Sequence, residues 1–186
     1  MILRGLWLLA RGQRSGMEEF DPSPDGFTAS LAPLIAFPLV GAAALGLGGQ
    51  WQPALVGLFS RLCAVLVLPL ITHEFARRMG REPLWLRTAS ALNWSFWVLI
   101  PVLFIAAFLA AILVESGLPM QQGEYAAIGL ITAYLLWYHW FIARVGLVLS
   151  AVQAGLFVLL SGAAVGLLTF GPALVDYAYY GKMIRY

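Results

Sequence analysis

The chain reads as an all-α, polytopic transmembrane helical bundle, with about five spans preceded by an amphipathic segment. Three observations lead there. Of 186 residues, 61% are apolar and 11% charged, and the mean hydropathy is +0.85. A soluble domain carries about 25% charged and about 45–50% apolar residues, so one water-exposed fold of this size cannot hide so much apolar surface. Disorder requires low hydrophobicity with high net charge, whereas the net charge here is +2. Finally, apolar stretches recur at the length of about 20 residues needed to cross a ~30 Å hydrocarbon layer.

Residues 1–27 form the first unit. Arg4 and Arg11 interrupt the apolar run that opens the chain, and no small-residue cleavage site follows before Glu18 and Glu19. The segment is therefore expected to be retained, not cut away as a signal peptide. At about 100° per residue, Arg4, Arg11 and Arg14 share one side of a helix, while Ile2, Leu6 and Leu9 cover much of the remainder. That pattern predicts a helix lying in the headgroup region. The segment from Phe20 to Phe27 predicts a turn. Pro22 and Pro24 fix φ, Asp21 and Ser23 can cap, and Gly26 permits positive φ. Phe20 and Phe27 would anchor it at the interface.

The transmembrane domain covers residues 28–175, with spans at about 28–48, 53–75, 89–114, 125–143 and 150–171. The last two divide one 47-residue apolar stretch, Tyr125 to Gly171, whose only charge, Arg144, marks the turn. Residues 176–186 are read as a short external tail.

Arg77, Arg78, Arg81 and Arg87 follow the second span, and Glu115 and Glu124, without Lys or Arg, follow the third. The positive-inside rule then places the N-terminus, with Arg4, Arg11 and Arg14, in the cytoplasm of a bacterial inner membrane, together with the turn at Arg144. The C-terminus, with Lys182 and Arg185, falls outside against the rule. Trp85, Trp94, Trp137 and Trp140 would mark the inner interface, and Trp51, Tyr177, Tyr179 and Tyr180 the outer one.

Few residues suggest chemistry. The ten Arg and one Lys are scattered in ones and twos, not gathered into the dense basic face that nucleic-acid binding requires. The excess of Arg fits phosphate recognition and fits equally a GC-rich coding sequence. Cys63 has no intrachain disulfide partner and reads as a small packing residue. His73-Glu74 opens like a zincin motif, but Arg77 occupies the position of the second histidine. Glu74 instead stands four residues before Arg78, a helix-supporting pair. His139 lies in an aromatic cluster and reads as an interfacial histidine. Ser60, Ser95, Ser150 and Ser161 have no polar partner nearby in sequence, and no Asp lies in the hydrocarbon region. No catalytic, cofactor or metal site is expected, and buried carboxylates for a proton-driven carrier are missing.

Three features remain. Pro33, Pro38, Pro69 and Pro101 break spans and free backbone carbonyls. Gly162 and Gly166 form a small-x-x-x-small face, with weaker versions at Ala106/Ala110 and Ala44/Gly48, and are expected to lie against another helix. Arg61 stands near the middle of the second span, where insertion costs about 2.5–3.5 kcal/mol. It is either wetted by a shifted helix or part of a lipid or anion site.

The motif Phe20-Asp21-x-Ser23-x-x-Gly26-Phe27 before a proline-containing span, with Trp140-Phe141-x-x-Arg144-x-x-Leu147 later, resembles an uncharacterised bacterial family of small polytopic membrane proteins. The five-span plan is similar to the Yip1 domain, although the Asp-Leu-Tyr-Gly-Pro signature of its eukaryotic members has no counterpart here. The resemblance implies the architecture and no activity.

Two functions follow as expectations. The first is a non-enzymatic accessory, assembly or scaffold protein acting through helix-helix contacts, with membrane lipids and another membrane protein or a second copy as partners. The second is a small transporter or lipid- and anion-binding protein that uses Arg61 and the proline-broken helices.

Overall fold

The computed structural model describes residues 2–183, and side chains for 2–172 and 174. All regular structure within it is helical. The order is α1 (Ile2–Ala10), a 3₁₀ turn (Arg14–Glu19), α2 (Pro24–Leu47), α3 (Trp51–Arg78), a second 3₁₀ turn (Glu82–Leu84), α4 (Trp85–Trp94), a third 3₁₀ segment (Ser95–Val98), α5 (Leu99–Glu115), α6 (Met120–Gly146) and α7 (Ala151–Met183). Five stretches are long and apolar enough to cross a membrane: Pro24–Leu47, Trp51–Arg78, Glu82–Glu115, Met120–Gly146 and Ala151–Pro172. The protein is an integral membrane helical bundle.

The spans run up and down, so the turns alternate between two ends. One end gathers Arg77 and Arg78 in the last turn of α3, Arg81 after it, Arg87 in α4, Arg144 at the close of α6, and the N-terminal segment with Arg4, Arg11 and Arg14. This is called the basic end below. The other end carries the α2–α3 and α5–α6 turns, with Glu115 and Glu124.

Local chemistry sets the helix ends. Ser23 caps α2 by accepting from the Gly26 backbone N–H at 3.0 Å, and Pro24 follows where its missing N–H costs nothing. Gly26 is helical and does not take the positive φ expected of it. Its role is close approach, because a Cβ there would stand 2.7 Å from Cβ of Asp21. Ser150 and Gln153 cap α7 reciprocally: the Gln153 N–H donates to Ser150 Oγ at 3.2 Å, and the Ser150 N–H donates to Gln153 Oε1 at 2.9 Å. Glu74 pairs with Arg78 and also with Arg77, both at 2.6 Å.

The core sits at the basic end. Leu6, Leu9, Met17 and Phe20 from the N-terminal segment pack with Leu92, Tyr138, Ile142, Leu147 and Phe157. The N-terminal helix has a feature beyond the sequence expectation. It is docked on protein, with the hydroxyls of Tyr134 and Tyr138 donating to the carbonyls of Ala10 (3.0 Å) and Leu6 (3.2 Å). Two hydroxyls aimed at the last turns of a nine-residue helix hold it where apolarity alone would leave it free to slide on the headgroups.

The third helical stretch begins at Glu82 and is broken at Ser95–Val98; the fifth, Ala151–Pro172, has the expected bounds, and its helix continues to Met183. Asp176, Tyr177, Tyr179, Tyr180, Lys182 and Arg185 fall outside the described side chains.

Candidate functional site

The break in the third span places polar groups inside the membrane domain. Ser95 turns its hydroxyl back onto the carbonyl of Leu92 at 2.5 Å, and Pro101, in the first turn of α5, has no N–H for the carbonyl of Trp97. Together they weaken the i to i−4 ladder where the helix narrows to 3₁₀. Breaks of this kind inside a helix often mark functional positions.

Before the break, α4 is buried between α2, α3 and α6, and from it Asn93 reaches α2. Its Nδ2 donates to Ser30 Oγ at 2.9 Å, and Ser30 in turn donates to the Phe27 carbonyl at 2.6 Å. Asn93 is 2% exposed, yet its Oδ1 accepts no hydrogen bond among the described residues. Leaving a buried acceptor unpaired costs about 1–3 kcal/mol. From α6 comes His139. The Leu135 carbonyl, 2.8 Å from Nδ1, can only accept, so Nδ1 carries a proton, and Nε2 lies 3.3 Å from Ser95 Oγ. Ser95 thus has a polar partner after all, supplied by another helix.

Asn93, Ser95 and His139 line a cavity of about 240 Å³ between α2, α3, α6 and α7. A neighbouring cavity of about 370 Å³ is lined by Phe37, Pro38 and Arg61. The two share Leu34, Ala64, Val65 and Phe96, so they adjoin one another. Pro38 removes the donor that the Leu34 carbonyl would otherwise use, which leaves an acceptor in the shared wall.

Arg61 is exposed and lies against α2, where a Cβ on Gly41 would stand 3.7 Å from Nη1. It makes no hydrogen bond or ion pair among the described residues. Among the described residues, the adjoining cavities thus carry an unpaired guanidinium on one side and, on the other, Asn93 with its unpaired Oδ1. Arg61 was legible as a candidate; Asn93, the only asparagine in the chain, was the signal left unread.

The other candidates fall elsewhere. Ser60 donates to the Leu168 carbonyl of α7, and Ser161 to the Phe157 carbonyl at 2.7 Å. Among the described residues, Gly162 and Gly166 do not meet another helix, since nothing lies within 4 Å of a Cβ built on either. The physical reason is that α7 packs on α3 and α6 through its other faces, burying Ala154, Phe157, Val158 and Ser161. No cluster of three His, Cys, Asp or Glu occurs among the described residues. The chain matches no family model, no curated protein and no solved structure.

Proposed function

We propose that this membrane protein binds an anionic amphiphile in the recess between α2, α3 and the broken third span. The observation that carries the reading is Arg61, which makes no hydrogen bond or ion pair among the described residues and lines a cavity adjoining the one lined by Asn93, whose Oδ1 is unpaired. A charge at that depth is costly unless something neutralises it, and a phosphate matches the planar donor fork of arginine. On the other side, Asn93 Oδ1 calls for a hydrogen-bond donor. A phospholipid headgroup with a phosphate and hydroxyl or ammonium donors meets both demands, whereas a choline headgroup meets only the first. The positive-inside rule supports a cytoplasmic basic end in a bacterial inner membrane.

Native mass spectrometry from a mild detergent, after incubation with phosphatidylglycerol or phosphatidylcholine, tests this reading. Wild type retains one more phosphatidylglycerol per chain than Arg61→Leu does, and Arg61→Lys keeps part of that difference. Equal retention by wild type and Arg61→Leu contradicts it. A second reading, a non-enzymatic assembly or scaffold protein acting through helix contacts, is supported by the bare Gly162–Gly166 face of α7. The same spectra test it through the masses of dimers or bound proteins.

A further inference from the structure

A second recess lies on a different face, between α5 and α6, and has a volume of about 430 Å³. Its walls are apolar, formed by Trp97 of the third 3₁₀ segment, Pro101, Ile105 and Leu109 of α5 and Leu130 of α6, and Leu3 and Trp7 of α1 line its basic end. We infer that this groove holds one acyl chain of an anionic phospholipid from the basic-end leaflet, with the lipid phosphate against Arg11.

Depth supports a lipid chain. From Trp97 to Leu109 the groove follows the third span for twelve residues, about 18 Å at 1.5 Å per residue. One leaflet of a ~30 Å hydrocarbon layer is about 15 Å deep. Closure argues against a transmembrane helix from a second copy. Such a helix must run the full thickness of the membrane, and α1 blocks the groove at one end. An acyl chain ends there and passes its headgroup over α1.

Charge at that mouth selects the headgroup. Trp7 lines the groove while remaining 60% exposed, and the Arg11 guanidinium sits over its ring at 4.7 Å. Arg11 pairs with no carboxylate among the described residues, whereas Arg4 is engaged with Glu19 at 3.4 Å. Stacking on Trp7 therefore holds a cation beside the groove with its hydrogen-bond donors unspent. The tyrosine hydroxyls that hold α1 make this geometry a fixed part of the protein.

The site does not depend on Arg61, so the test is made in full-length Arg61→Leu protein, which removes any lipid bound at the other recess. In mild detergent with equimolar phosphatidylglycerol and phosphatidylcholine, native mass spectrometry should show one retained lipid per chain. Its preference for phosphatidylglycerol should be about fivefold, the effect of one basic residue at a membrane surface. Arg11→Gln, an exposed change that leaves the packing intact, should bring the two lipids to parity. Ile105→Trp, which fills the groove, should remove the retained lipid. An unchanged phosphatidylglycerol preference in Arg11→Gln overturns the proposal. So does a lipid that persists in Ile105→Trp, or a dimer that Ile105→Trp dissociates, which would make the occupant a second copy.

Discussion

Arg81 donates through Nη1 to the carbonyl oxygens of both Leu147 (3.2 Å) and Val148 (2.7 Å), so the turn after α3 closes the C-terminus of α6. Those carbonyls lie past the last full helical turn, where no backbone N–H reaches them. The contact joins the second and fourth spans at the basic end, beside the core that holds α1.

Val148 itself is strained. Its φ is 52°, the left-handed region where a β-branched residue is an outlier, while the turns at Gly49, Gly80 and Gly117 use glycine for their positive φ. Val148→Gly should therefore raise stability by about 1 kcal/mol, and Arg81→Ala should lower it by about 1.5 kcal/mol, the low end for a charged donor that is partly exposed. Thermal unfolding in detergent, followed by circular dichroism, checks both signs.

Gly26→Ala should destabilise the entry to α2, although alanine is the better helix former, because the added Cβ would meet Asp21 at 2.7 Å. Asp21 accepts from the Ser23 hydroxyl (2.7 Å) and backbone N–H (2.9 Å), and these bonds hold its carboxyl below the usual aspartate range. A depressed folded-state value means that the stabilisation is fully present above the ordinary aspartate pKa and is lost as pH falls through the lowered one. Asp21→Asn should remove that acid-side dependence, measured as the slope of melting temperature against pH.

Gly166→Ile should leave the melting temperature of the isolated chain unchanged or slightly raised. The site has open space around it, and glycine is a poor helix former. A loss of stability in monomeric protein would show that α7 packs differently from the arrangement described.

What the sequence disclosed and what it hid have separate physical causes. The five spans follow from apolar length, and the Glu74–Arg78 pair and the Ser23 cap follow from local spacing. The docking of α1 does not, because it depends on Tyr134 and Tyr138, more than 120 residues away in the chain. Ser95 and His139 are 44 residues apart and Asn93 and Ser30 are 63 apart, so no local pattern joins them. Arg61 was visible because a single charge in an apolar run stands out. Gly162 and Gly166 looked like a packing face because small residues permit close approach, but permission does not supply the second helix.

Topology is checked with single cysteines at Glu82 and Gln122 in a Cys63→Ser background. Glu82 is preferable to Arg81, whose side chain is committed to α6. A membrane-impermeant maleimide should label position 122 in intact cells and position 82 only after permeabilisation. Preferential labelling at 82 in intact cells would reverse the orientation.

The central claim, a recess that holds an anionic amphiphile between Arg61 and Asn93, is tested most directly by covalent capture. Phe96 lines both parts of that recess, so a photoreactive benzoylphenylalanine in its place, irradiated in native membranes, reports the occupant by mass. The expected product is a crosslinked amphiphile carrying a phosphate or another anionic group, whose yield falls severalfold in the Arg61→Leu background. Crosslinks only to neighbouring helices, or to choline and anionic lipids in the proportions of the bulk membrane irrespective of Arg61, would contradict it.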